Sequence, residues 1–316
     1  MIKRQINYTI TGQEAGMTAL QFLKSKGYSH RLLIHLKNTP FGLTMGGEPI
    51  FSNRRLIEGE VLTVLLTEDG DSQTILPVPL PLSIVYEDED ILVINKDAGV
   101  PIHPSQGHFD NTLANAVAWY YRQKGEPFVY RAINRLYRDT PGLLVLAKHM
   151  LSACILSDQM VKRLIRREYL ALVCGRIPEA GTIDRPIGRV EGSTIERHVD
   201  EEHGERAVTH YKRLSYHPEN DLSLVSLRLE TGRTHQIRVH MASIGYPLPG
   251  DFLYNPDYRL IGRQPLHSYK LEFVHPLTGL PLVFTARLPE DMERLCLSSY
   301  PVTVHSPAKK QPFCEQ

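Results

Sequence analysis

This chain predicts a mixed α+β fold built on a largely antiparallel sheet, on three observations. Seven short β-rich runs, SIVY, ILVIN, LLVLA, YLALVC, VTHYKRL, LSLVSLRLE and PLVFTARL, crowd the stretch from Ser83 to Pro301. Only two clear helical stretches separate them, NTLANAVAWYYR and MLSACILSDQMVKRLIRR, whereas a doubly wound sheet would place a helix after nearly every strand. The first 67 residues carry a strand–helix–strand pattern of their own.

That opening pattern starts with a short alternating strand through Ile2, Gln5, Asn7 and Thr9. A helical stretch follows, MTALQFLKSKGYSHRLLIHLK, with Leu20, Leu23, Leu32, Leu33 and Leu36 at helical spacing and basic residues from Lys24 to Lys37 between them. The run VLTVLL after EGE closes a small α/β module over residues 1–67. In TEDGDSQTILPVPLPL, acidic and polar residues give way to prolines that prefer extended backbone, which predicts a linker over 68–82. The seven β-rich runs and two helices then form one domain over 83–301, and SPAKKQPFCEQ predicts a frayed tail over 302–316. No internal repeat is present.

A length of 316 residues with 42% hydrophobic content can build a sizeable core. Charge is nearly balanced, 36 basic against 35 acidic residues, so any polyanion partner must be met by a local patch and not by net charge. Cys154, Cys174, Cys296 and Cys314 show no C-x-x-C spacing and read as reduced, mostly buried thiols. MIKRQINYTI lacks the apolar core of a signal peptide, and no apolar run reaches the ~18 residues needed to span a bilayer. The expectation is a cytoplasmic protein.

Four segments concentrate polar chemistry. NKDAGVPIHPSQGHFDNTLANA crowds Gly and Pro around His103; such a loop either lines a site or merely connects. NRLYRDTPGLLVLAK places Arg135, Arg138 and Asp139 before Thr140, Pro141 and Gly142, a sharp turn into a buried strand that local physics explains as a salt-bridged turn. VKRLIRREYLALVCG carries Lys162, Arg163, Arg166 and Arg167 at helical spacing, a solvated face or a phosphate-binding stripe, with Tyr169 opening the next strand. LETGRTHQIRVHMASIGYPLPGD sets Arg233, Thr234, His235, Gln236, Arg238 and His240 within eight positions. A helix starting at QIRVHMA would follow Arg233, contain Arg238 and bring His235 near His240. No matching Cys or carboxylate cluster accompanies the histidines, so no metal is expected. So many donors with few acids nearby suggest an anionic ligand.

In this order, SIVYEDEDILVINKDAGVPIHPS, NRLYRDTPGLLVLAK, REYLALVCG and TGRTHQIRVHMASIGYPLPGD resemble the RluA-type family of RNA pseudouridine synthases over nearly the whole chain. The first part resembles, more loosely, the alpha-L RNA-binding module that often precedes that catalytic domain. The resemblance implies cleavage of the bond from ribose to uracil N1, rotation of the base and reattachment through C5, with no cofactor. It implies a monomer acting on structured RNA, ribosomal or transfer, through a pocket for a flipped base and a cationic surface for phosphates. It also implies an arginine, here Arg238, paired with the essential aspartate; a tyrosine, here Tyr169, against the uracil; and Arg135 entering the space the base vacates. The RNA-contacting set extends to His103, Arg138, Arg163, Arg166, Arg167, Arg233 and His235, with Asp139, Thr140 and Gly142 shaping the turn.

The family pattern R-L-D-R-D-T-S-G puts its essential aspartate where this chain has Tyr137. Pro141 replaces the serine, and Asp97 stands where the pattern N-K-P-x-G carries proline. Asp139 cannot substitute by alignment, because the family has its own aspartate there. A phenol is a neutral, bulky hydroxyl at neutral pH and not a carboxylate. Three expectations follow: Tyr137 intrudes on the uridine pocket, Arg238 lacks its partner, and Tyr137→Asp would stabilise the fold. A non-catalytic RNA-binding protein on the same fold is the alternative reading.

The basic segments carry a prediction for either reading. Affinity for structured RNA should fall as salt rises, with a slope of about 0.7–0.9 in log affinity against log salt for each phosphate contact. Anisotropy titrations between low and physiological salt test this. A flat response would remove RNA binding altogether.

Overall fold

The computed structural model describes residues 2–68 and 75–296. Its first part is a four-stranded sheet in the order β1-β4-β2-β3, from β1 (Ile2–Thr9), β2 (Leu43–Met45), β3 (Glu48–Pro49) and β4 (Val61–Glu68). Alternation in β1 turns Ile6 and Tyr8 inward against two helices, α1 (Ala19–Ser25) and α2 (His30–Asn38). The single helical stretch expected here is therefore broken. Thr18 and Gln21 form a reciprocal cap on α1, the chain turns at Gly27 with φ of +88°, and Ser29 caps α2. Leu32, Leu33 and Leu36 on α2 are buried as their spacing predicts.

The larger part begins with β5 (Ile84–Glu87), β6 (Ile91–Lys96), α3 (Leu113–Lys124), β7 (Gly142–Ala147) and α4 (Met150–Val161). It continues through β8 (Arg166–Cys174), β9 (Ala180–Asp184), the ribbon β10 (Ile187–Arg189) with β11 (Arg197–Val199), β12 (Val208–His217) and β13 (Leu222–Leu229). It ends with α5 (Gln236–Ser243), β14 (Leu266–Val274), β15 (Pro281–Thr285) and α6 (Glu290–Glu293). Nine strands form one sheet in the order β5-β6-β7-β14-β8-β13-β12-β9, with β15 also on β14. Every pairing is antiparallel except β7 with β14, so the mixed, largely antiparallel α+β fold is observed.

Period-two alternation sorts the sheet into two packed faces. Leu92 and Ile94 of β6 and Leu144 and Leu146 of β7 meet α3 and α5; Ile91, Val93, Leu143 and Val145 face the other way, towards α4 and β15. Both helices expected in this part form, but the second stops at Val161, so Arg166 and Arg167 belong to β8 and the basic residues do not share a helix face. Tyr169 is the fourth residue of that strand and not its first.

The linker expected over 68–82 is only partly within the described residues. Glu68 ends β4, while Leu76 and Val78 are hydrogen-bonded through their backbones to Asn115 at the start of α3. The expected tail, 302–316, with Cys314, lies outside the described residues. Cys154 and Cys174 are half-buried and only Cys296 is fully buried, a correction to the expectation of mostly buried thiols. No helix among the described residues is long and apolar enough to cross a membrane.

The two sheets are joined by more than chain continuity. Leu151 of α4 is wholly buried in the apolar cluster of the first part. A Cβ added at Gly27 would lie 2.8 Å from Ile155 Cγ1, so the close approach of α4 needs glycine there. Arg4 donates to Asp90 at 2.9 Å, and buried Glu68 accepts from Arg131 and, at 2.7 Å, from the Met150 N–H. Glu68→Gln would leave Arg131 without its charge partner at this seam. It should lower unfolding stability by roughly 2–3 kcal/mol, less than a fully buried pair because Arg131 keeps some water. Denaturant melts check this; an unchanged midpoint would mean that the seam carries no stability.

Candidate active site

The turn between α3 and β7 is held in place by its main chain. Thr140 N–H donates to Tyr137 O at 3.1 Å, closing the turn, and Ser268 N–H donates to Pro141 O at 2.9 Å. Buried Lys96 donates to the carbonyls of Arg138 (2.8 Å) and Asp97 (2.7 Å), and Arg263 donates to Asp139 O at 3.3 Å. Burial pulls the Lys96 ammonium down to about 7. Gly142, at φ of +119°, closes the turn on β14, where a Cβ would lie 2.3 Å from Ser268 O. The sharp turn predicted from Thr140-Pro141-Gly142 is thus built, and no other residue type fits its last position.

Tyr137 projects from this turn into a cleft of about 1340 Å³ between the turn, β8 and the start of α5. The cleft gathers His103, Arg135, Arg138, Thr140, Arg163, Arg166, Arg167, Tyr169, Arg233, His235 and Arg238, which the sequence scatters over more than a hundred positions. Asp139 and Gly142 are not among its lining residues. Asp139 faces a separate concavity beside Arg263 and is gripped by both nitrogens of Arg138 at 2.9 and 3.0 Å, as a salt-bridged turn requires. His103 packs edge-on to Tyr130, and burial, then nearby Arg135, lowers its pKa. Tyr169 is buried in the floor.

Four expectations about this site are corrected. Arg238 is not short of a partner. It is 1% exposed and makes two bonds to Asp251, Nε to Oδ2 at 2.6 Å and Nη2 to Oδ1 at 2.5 Å, between the rings of Phe252 and Tyr254 at 5.0 Å each. Tyr137→Asp is therefore not expected to stabilise the fold by rescuing a bare guanidinium. Arg233 is not a free donor either, since it pairs with Glu205 and donates to Arg206 O at 3.1 Å. The idea that few acids pair the donors of this segment fails because Asp251, at the segment's own end, takes Arg238, and Glu205 from another segment takes Arg233. Finally, His235 and His240 are not neighbours: five positions apart on a helical path they diverge, His240 to Thr209 and Arg185 O, His235 to Tyr254.

Helix α5 begins as predicted, with His235 as its left-handed N-cap at φ of +58°. The His235 N–H donates to the Tyr137 hydroxyl at 2.9 Å, and the two rings lie 5.0 Å apart. His235 Nδ1 meets the Tyr254 hydroxyl at 2.9 Å. Sequence reasoning missed Asp251 and Tyr254; the only signal was the G-D pair that ends the segment. It also missed Lys96, which the quoted N-K-D-A-G run contains. Among the described residues, Asp88, Asp90 and His275 bring ligand atoms within 4.8 Å of one another, but protein partners occupy them: Tyr86 and His275 on Asp88, Arg4 and His149 on Asp90.

The cleft is strongly cationic despite the chain's balanced charge. Nine arginines and lysines line it against three glutamates. Two glutamates are held at its edges, Glu168 by Arg228 and Glu230 by Arg206. The side chains of Arg135, Arg163, Arg166 and Arg167 make no hydrogen bond or ion pair with another described residue.

Comparison with known proteins bears on this geometry. An uncharacterized RNA pseudouridine synthase, YjbO, of Bacillus subtilis (strain 168) is 43% identical over 280 residues, 88% of this chain and 98% of that protein. This chain belongs to the RluA-type family of RNA pseudouridine synthases. The family pattern described as RNA pseudouridylate synthase matches residues 90–243, which include the turn, Tyr169 and α5. The ribosomal large subunit pseudouridine synthase D of Vibrio cholerae is 39% identical over 271 residues, 81% of this chain and 82% of that one. Among solved structures, human RNA pseudouridylate synthase domain containing 1 superposes with a TM-score of 0.56 at 28% identity, covering 66% of this chain and 83% of that chain. The enzyme class that membership gives is an RNA-modifying isomerase.

Buried histidines at the site give a prediction. Burial, then Arg238, holds His235 at about 4, and burial holds His267, which contacts Pro141 O, at about 4. Unfolded histidine takes its proton near 6.5, so between about 6.5 and 4 the unfolded chain binds more protons and stability is lost as pH is lowered. Each group contributes up to about 1.4 kcal/mol per pH unit in that window. His235→Asn keeps a residue suited to left-handed backbone and should flatten the slope above pH ~5.5, where carboxylates contribute little. Denaturant melts across that range decide it; an unchanged slope would mean that His235 does not stay neutral in the fold.

Proposed function

We propose that this chain takes a uridine of folded ribosomal RNA into the cleft and that Tyr137 leaves the isomerisation without its acid. The observation that carries this reading is the engagement of Tyr137 and Arg238 away from each other, one with the His235 N–H and the other with Asp251. Recognition has its parts. Four arginines with unpaired side chains are available for phosphates, the cleft has room for a nucleoside, and the Tyr169 ring on its floor offers a flat apolar surface for a uracil. Ribosomal RNA is favoured over transfer RNA because the Vibrio cholerae relative is named a ribosomal large subunit pseudouridine synthase.

Isomerisation needs the N1–C1′ bond to break, the base to turn and C5 to bond to C1′ while the C5 proton leaves. A carboxylate at position 137 would attack the sugar or remove a proton to start that sequence. The tyrosine presents a hydroxyl that already accepts a hydrogen bond. The remaining cleft acids do not replace it: Glu168 and Glu230 are ion-paired to Arg228 and Arg206, and Glu272 to Lys270. Asp139 faces elsewhere. The small first part, with its basic helices, would add RNA contacts beside the cleft.

Large-subunit ribosomal RNA and transfer RNA transcripts, incubated with the protein and analysed by mass spectrometry for pseudouridine, test this. The chain as written should bind ribosomal RNA and leave its uridines unchanged; Tyr137→Asp should form pseudouridine. Turnover by the unaltered chain would overturn the reading. A folded, RNA-binding Tyr137→Asp protein that stays inert would show that more than the acid is missing.

A further inference from the structure

At the rim of the cleft the connection from α4 to β8 is built against local preference. Helix α4 ends in a complete two-bond terminating turn: the Leu164 N–H donates to Gln159 O at 2.8 Å and the Arg163 N–H to Met160 O at 3.1 Å. In this motif the first of the two donor residues along the chain adopts left-handed backbone, and glycine is the ordinary choice because a Cβ is penalised there. This chain has Arg163, at φ of +58°. The motif also ordinarily packs the residue in Leu164's position against the helix. Here Leu164 is 51% exposed and Val161, the last residue of α4, is 82% exposed. Backbone strain and two exposed aliphatic side chains thus coincide within four residues.

The neighbourhood indicates what covers them. Arg163 lies between the exposed pair and Arg166 follows it, and the side chains of both, with that of Arg167, lack a hydrogen-bond or ion-pair partner among the described residues. Val161, Arg163, Arg166 and Arg167 all line the cleft that holds Tyr137 and Tyr169. Buried Ile165 anchors the connection, so its tip is fixed and not a floating loop. Whatever covers this surface must match an aliphatic pair and three unpaired guanidinium groups together. A nucleic acid satisfies both, since its phosphates take the arginines and its base stack takes an apolar wedge.

We infer that Val161 and Leu164 form a wedge that enters the base stack of an RNA stem beside the nucleotide held in the cleft, with Arg163 and Arg166 on the adjoining phosphates. This rests on the cleft binding RNA and adds the form of that RNA. The target uridine lies next to a stacked, paired segment, and the wedge discriminates it from an unpaired strand. Arg163 occupies a position better suited to glycine because its side chain is needed outside the helix end.

Two probes test this: a hairpin RNA whose uridine loop is closed by a G·C stem, and the same nucleotides permuted to stay unpaired. A 2-aminopurine beside the loop reports unstacking. The unaltered protein should bind the hairpin more tightly and raise the fluorescence. Val161→Ser with Leu164→Ser should abolish the fluorescence rise and weaken hairpin binding roughly tenfold or more, the scale of one aliphatic side chain no longer buried, while unpaired RNA binds as before. Arg163→Gly should raise the melting temperature by roughly 2 °C while reducing the salt slope by about 0.7–0.9. A double serine variant that binds and unstacks the hairpin like the unaltered chain would overturn the wedge and leave RNA recognition standing. Binding of neither probe by the unaltered protein would overturn both.

Discussion

The bidentate pair of Arg238 with Asp251 organises the cleft. Both groups are almost fully buried, where separating two charges from water costs several kcal/mol per ion unless geometry and further hydrogen bonds offset it. Here they do. Asp251 also accepts the N–H groups of Leu253 and Tyr254, and the guanidinium lies between two aromatic rings. The pair pins helix α5 to the loop that follows it, and that loop brings Tyr254 to His235. His235 then offers its N–H to Tyr137. One buried ion pair thus sets the wall of the cleft opposite the turn.

The turn itself depends on the backbone more than on its side chains. Lys96, Arg263 and Ser268 all bind carbonyl oxygens, and Gly142 fits because it has no side chain. None of these contacts senses which side chain stands at position 137. The scaffold can accept tyrosine there without losing the turn, and the consequence of the exchange is chemical. Position and reactivity are separable in this fold because main-chain atoms hold the one and a single side chain supplies the other.

Charge follows the same division between paired and unpaired groups. A net charge of +1 conceals a cleft in which cations outnumber acids, and within it the cations differ. Arg138, Arg228, Arg233 and Arg238 are committed to carboxylates. Arg135, Arg163, Arg166 and Arg167 are not, and the last three share the rim beside the end of α4. Groups with a protein partner shape the site, whereas unpaired ones are available to an anion at little cost in rearrangement.

By itself the sequence determined the fold class, most strands and the two main helices, because apolar alternation and helical spacing are local properties of the chain. It also determined the predicted turn into β7 and the presence of a tyrosine where the family has aspartate, since motif order survives in one dimension. The tertiary structure alone decided how α4 ends, and with that moved Arg166 and Arg167 from an expected helix face to a strand. Terminating hydrogen bonds at Arg163 and Leu164 prevailed over a periodicity that ran on through the sequence. Partner choice was equally illegible. Asp251 lies thirteen positions from Arg238 and Glu205 twenty-eight from Arg233. Ion pairs form between groups that the fold brings within about 3 Å, and separation along the chain carries no record of that distance.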